Sequence, residues 1–165
     1  MDPLIIGIVA VAAILLLGFI YSLIVGKKGS LEGLAALPGE TVLVEEQGVR
    51  VEQRARPKSA LFMSCRLRVT DRRLIIAQKA LLAKTHQLRF VFSYAQAGSG
   101  ADLASSLGTG CIVADVAVDA ITVARDGERM ALEIPLGGGA LTSGQTALIF
   151  TDRAAEIVAM INPSA

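Results

Sequence analysis

From Thr41 onward the apolar residues of this chain recur at every second position, and that spacing leaves few folds open. Val42 and Val44 alternate with Leu43 and Glu45, and Val49 and Val51 alternate with Arg50 and Glu52. Cys65, Leu67 and Val69 share one face of a strand whose other face carries Arg66, Arg68 and Thr70. Leu88, Phe90 and Phe92 alternate in the same way with Gln87, Arg89 and Val91. Successive side chains of a strand point to opposite faces, so these segments predict antiparallel strands with one face in a core and one in water. Asp71-Arg72 marks a turn before Leu74–Ala77, and Asp126-Gly127 marks a hairpin between Ile121–Arg125 and Glu128–Ile134. The period becomes helical near the end. Ala154, Ile157, Val158 and Ile161 form a stripe over about Asp152 to Ile161, with Thr151 or Asp152 as cap and Pro163 as stop. Six or seven short strands and one amphipathic helix predict a mainly β fold, a bent barrel or sandwich whose open end the helix covers.

The first residues follow another rule. Of the 22 residues from Leu4 to Val25, all but Gly7, Gly18 and Ser22 are apolar and none is charged. This run accounts for the excess in the 53% hydrophobic content of the chain; the remainder matches an ordinary globular domain. Roughly 20 helical residues cross a hydrocarbon core about 30 Å thick, so the run predicts a single transmembrane α-helix. A cleaved signal peptide would carry positive charge ahead of its apolar segment. Here Asp2 precedes the run, and Lys27 and Lys28 flank its far side. The positive-inside bias then predicts a single-pass protein of the cell membrane, amino terminus outside and carboxyl-terminal domain cytoplasmic. Gly18, Ser22 and Gly26 recur every four residues and would let two spans pack closely as a homodimer. The expected organisation is an anchor over residues 1–26, a Gly-containing linker over 27–36 and one domain over 37–165.

Catalytic constellations are hard to find. His86 is the one histidine, and Cys65 and Cys111 stand 21 residues before it and 25 after it, without the close pairs of a structural zinc site. His86 reads as solvated or backbone-bonded, and Cys65 as a small core residue. The small-residue segment Ala97–Gly110 and the triple glycine Gly137–Gly139 lack the Lys and Ser/Thr of a phosphate-binding loop, so both read as flexible connections. Asp115 and Asp119 share a face only on a regular strand, and no nucleophile accompanies them. The expectation is no enzyme, no cofactor and no metal.

Two segments carry a resemblance. LPGETVLVEE (residues 37–46) followed by LRVTDRRLII (residues 67–76) resembles the opening strands of the GRAM/pleckstrin-homology-like superfamily. Gly39 and Glu40 match the opening turn of that family, and Val69, Thr70, Arg73, Leu74 and Ile75 match its hairpin. Cys65 and Arg68 stand where the family often has glycine and an aromatic residue. The resemblance implies a seven-stranded bent barrel with a carboxyl-terminal helix, used to bind lipids or proteins and not for catalysis.

Charge is the remaining signal. Between Arg50 and Arg89 stand 11 Lys and Arg against only Glu52 and Asp71, a surplus of nine. From Phe90 to the end, 3 basic residues face 8 acidic ones, so the net +1 cancels unlike halves. Anionic lipid headgroups attract basic groups near a membrane by about 1 kcal/mol each. Arg54, Arg56, Lys58, Arg66 and Arg68 are therefore the candidate lipid-binding residues, with anionic phospholipid as first ligand. The competing expectation is an interaction or assembly domain that meets a protein partner, its arginines paired with acids such as Asp126, Glu128 or Glu133. Nucleic acid is not expected, because no aromatic stacking set accompanies the arginines.

Overall fold

A computed structural model describes residue 16 and residues 29–55, 59–79, 85–94, 110–136 and 144–163. Eight strands form one sheet: β1 (Val42–Arg54), β2 (Ala60–Thr70), β3 (Arg73–Lys79), β4 (His86–Tyr94), β5 (Ile112–Val116), β6 (Thr122–Asp126), β7 (Arg129–Pro135) and β8 (Thr146–Phe150). A one-turn 3-10 helix (Val118–Ala120) links β5 to β6, and helix α1 (Ala154–Ile161) closes the described fold. The strand order is β5-β4-β3-β2-β1-β8-β7-β6. All neighbours run antiparallel except β4 and β5, which are parallel.

This order forces curvature. The edge strands β5 and β6 are consecutive in the chain, joined by residues 117–121. Seven strand spacings of about 4.8 Å would set the two edges of a flat sheet roughly 33 Å apart. The link from Val116 to Thr122 reaches at most about 22 Å. The sheet must therefore curl, and its concave side holds one core. Val44, Val51, Leu67, Leu74, Phe90, Phe92, Leu132 and Ile149 meet there with Ala154 and Ile157 of α1. Phe90 stacks on Phe92 at 5.8 Å and meets Phe62 edge-on at 5.5 Å.

Irregularities keep the apolar set inward. Gly48 (φ +80°) lies in a register shift of β1 between Gln47 and Val49. A second shift places Val51 opposite Phe62 although Val49 faces Cys65, and Ser64 there has φ +54°. β2 begins at Ala60, five residues ahead of the expected Cys65 start, and Leu61 and Met63 in this added part are exposed.

Several expectations are corrected here. Among the described residues the fold is mainly β with one carboxyl-terminal helix, but it has eight strands, and its parallel β4–β5 pair has no counterpart in the expected all-antiparallel set. Against the expected transmembrane α-helix, among the described residues no helix is long and apolar enough to cross a membrane. Helix α1 has eight residues, about 12 Å, well short of a hydrocarbon core. Of the run Leu4–Val25 only Leu16 is described; the rest, with Gly18, Ser22, Gly26, Lys27 and Lys28, lies outside the described residues. The membrane-spanning and GRAM descriptions expected from the sequence have no support among the described residues. Residues 97–109 and 137–143, expected as flexible connections, also lie outside the described residues. Helix α1 starts at Ala154 with Arg153 at its cap position and no side-chain cap bond. Thr151, expected as cap, instead accepts the Arg153 N–H (3.1 Å) and donates to Glu46 Oε2 (2.6 Å).

Candidate functional site

The alternation that turns Cys65, Leu67 and Val69 inward turns Arg66 and Arg68 onto the convex side of the sheet, where Arg50 and Arg54 of β1 also emerge. Cross-strand register then supplies acids. Glu45 lies directly opposite Arg68, with Arg66 two residues away on the same face. Arg66 Nη2 and Arg68 Nη2 each sit 2.9 Å from Glu45 Oε1. Glu52 stands 3.7 Å from Arg50 and 3.0 Å from Arg54 Nε, and Arg54 Nη2 reaches Asp126 Oδ2 at 2.9 Å. Four cations thus share three carboxylates. Desolvation pushes the Glu45 carboxyl up, but the Arg68 hydrogen bond and the charges of Arg68 and Arg66 outweigh it and hold it below its ordinary value. The hydrogen bond to Glu52, with the charges of Glu52 and Asp126, raises the Arg54 guanidinium above its ordinary value.

Of the five residues expected to form a basic face, the structure brings together Arg66 and Arg68 on Glu45 and sets Arg54 between Glu52 and Asp126. Arg56 and Lys58 lie outside the described residues. Glu128 and Glu133, considered as partners for these arginines, form none of the ion pairs above, whereas Asp126 does.

Arg73 is a different case. Within β3 it precedes Leu74, Ile75, Ile76 and Ala77, all buried, and it is itself 2% exposed. Leu37-Pro38-Gly39-Glu40 makes a tight turn, with Pro38 second, Gly39 at φ +73° third, and the Glu40 N–H bonded to the Leu37 carbonyl at 2.9 Å. A type II turn favours those two residues in those two places. It aims Glu40 at Arg73 in a forked pair, Nε to Oε1 and Nη2 to Oε2, both 2.7 Å. The Thr70 hydroxyl and the Leu37 N–H also donate to Glu40, each at 2.8 Å. Burial raises the Glu40 carboxyl, and these bonds together with the Arg73 charge more than offset it, so it ends below its ordinary value. A pocket of only about 60 Å³ beside this pair, lined by Leu34, Val42 and Ile75 among others, is far below the ~300 Å³ of a small-molecule site.

Other candidates take structural positions. Cys65 is fully buried and Cys111 half-buried, and desolvation raises each thiol to about 11, far from nucleophilic at neutral pH. His86 holds its Nδ1 2.9 Å from Glu32 Oε1, a partner no local spacing revealed. Asp115 is on β5 and Asp119 in the 3-10 turn, both exposed; because the strand ends at Val116, the two do not share a strand face. Among the described residues no three His, Cys, Asp or Glu side chains gather to hold a metal ion. No family model, no curated protein and no solved structure matches the chain.

Sequence reasoning missed Glu40–Arg73 and Glu32–His86, and also Glu45 and Glu52 as the acids that meet Arg66, Arg68, Arg50 and Arg54. The one local hint was the unbroken apolar run after Arg73, which marks a strand covered on both faces and hence an arginine without access to water.

Proposed function

We propose that the chain is a non-enzymatic interaction or assembly module that meets a protein partner and has no preference for anionic lipid. One observation carries this reading: Arg50, Arg54, Arg66, Arg68 and Arg73 each have a carboxylate within 3.7 Å. A headgroup phosphate would have to displace acids already seated at 2.7–3.0 Å from four of these guanidinium groups. On β1 and β2 themselves, Arg50, Arg54, Arg66 and Arg68 are matched by Glu45, Glu52 and Asp126, which leaves that part of the surface nearly balanced. Raised thiols at Cys65 and Cys111 and the separation of Asp115 from Asp119 favour binding over catalysis. A curled sheet with two short edges, β5 and β6, suits contact with another polypeptide chain through edge or face.

The test is cosedimentation of the full chain with phosphatidylcholine vesicles, with and without phosphatidylserine, at low and high salt. Equal recovery on both is expected. A phosphatidylserine-dependent gain that salt abolishes would restore lipid docking and overturn this reading.

A further inference from the structure

The convex side of β3 and β4 is apolar yet nearly dry: Ile75, Ala77, Leu88 and Val91 are 0–3% exposed. Part of their cover is residues 29–34, which precede β1. The Gly29 carbonyl accepts the Leu88 N–H, and the Leu31 N–H donates to the His86 carbonyl, both at 2.8 Å. Together they make an antiparallel bridge centred on Ser30 and Gln87. The bridge lies where β5 does not reach, because β5 pairs with β4 only from Phe90 to Tyr94. One β4 edge is thus shared end to end by a five-residue strand and a short piece of upstream chain.

Residues 30–32 of that piece each meet the sheet in a different way. Ser30 sits opposite the backbone edge. Leu31, 2% exposed, packs in the cluster formed by Ile75, Ala77, Leu88 and Val91. Glu32 accepts the His86 N–H at 3.1 Å and lies 2.9 Å from the imidazole. Sheet edges read extended peptides in this way, with main-chain bonds for affinity and side-chain pockets for specificity. The two halves of the segment are held unequally. Its downstream root is fixed by Arg73, which donates to the Ala35 carbonyl at 2.6 Å and grips Glu40. Among the described residues its upstream part is held by one bridge and by the Leu31 and Glu32 contacts, whereas β3 and β4 are joined over seven residue pairs.

We propose that residues 29–34 are a displaceable occupant, in cis, of a peptide-recognition site on the β4 edge. The site takes from a protein partner an extended segment of the same chemistry: a small residue, a leucine and a carboxylate in succession. This rests on the reading of the chain as a protein-interaction module and names the chemistry its partner carries.

The test uses the full chain. Hydrogen exchange of the Leu31 and Leu88 amides is expected to run at least about tenfold faster than that of the β3–β4 ladder, as for a segment that opens separately from its sheet. Leu31→Ala should speed it about tenfold more and leave the ladder protected, which also certifies that the variant is folded. Glu32→Gln, at an exposed carboxylate, should change it in the same direction by less. A fluorescent peptide of residues 27–36 is then added in trans. Binding to the Leu31→Ala chain is expected to be at least about tenfold tighter than to the unaltered chain, and lost when the peptide's own leucine becomes aspartate. Leu88 exchanging no faster than the ladder, or equal binding of the two peptides, overturns the proposal. If the peptide fails while the vesicle result still disfavours lipid, this site falls and the interaction reading stands.

Discussion

Two ion-paired regions lie on the convex side of the same sheet and obey different electrostatics. On β1 and β2, Arg66 and Arg68 share Glu45 in reach of water, with side chains 24%, 28% and 34% exposed. On β3, Arg73 and Glu40 are 2% and 4% exposed under residues 35–41. Coulomb attraction is screened in the first region and strong in the second, but the second also carries the cost of desolvating both charges. Exposed pairs therefore set surface charge and contribute little to stability. A buried pair fixes geometry, and here it fixes where the chain ahead of β1 must run.

The largest effect should follow from breaking the buried pair on one side. Glu40→Ala leaves a guanidinium without its carboxylate and is expected to cost about 3–5 kcal/mol in chemical denaturation. A loss below 1 kcal/mol would show that water reaches Arg73 and would erase the contrast between the regions. Replacing both partners sharpens the comparison: Glu40→Leu with Arg73→Met should recover most of that loss, as apolar substitutes for buried ion pairs do.

Acid gives the next effect. The folded Glu40 carboxyl lies below its ordinary 4.5, so its contribution is complete above that pH and is lost as pH falls through the folded value. The melting temperature should be level down to about pH 5 and decline below it, and the decline should be shallower for Glu40→Gln. Identical acid profiles for the two chains would assign the decline to other carboxylates.

The smallest stability effect belongs to the exposed region. Glu45→Gln should cost less than about 1 kcal/mol, and less still in high salt. It also frees Arg66 and Arg68, so the variant should gain binding to phosphatidylserine vesicles that the unaltered chain lacks. A loss above 2 kcal/mol would mean that Glu45 behaves like Glu40.

Much of the sheet was legible beforehand because its signal is local. Cys65, Leu67 and Val69 alternate strictly with Arg66, Arg68 and Thr70, and they are found inward and outward as that alternation requires. The hairpin at Asp126-Gly127 joins β6 and β7 within a residue of its expected limits, with Gly127 at φ +64°. Strands β5 and β8 were not legible. Each has five residues, and β8 (TALIF) is buried on both faces at its last four, so no alternation marks it. Residues 29–36 read as linker from their glycines, although Ser30 and Leu31 are 2% exposed against β4.

Period, turn chemistry and the lopsided distribution of charge are properties of neighbouring residues, and the amino-acid order settled them: strands, a hairpin, a closing helix and a basic segment. Which acid meets which arginine depends on register between strands far apart in the chain, 23 residues for Arg68 and Glu45, 72 for Arg54 and Asp126. Folding therefore decided whether that segment is an open basic face or a paired one, and which of its arginines lost contact with water. Pairing partners are chosen by three-dimensional closeness and local dielectric, and neither is encoded in any short stretch of sequence.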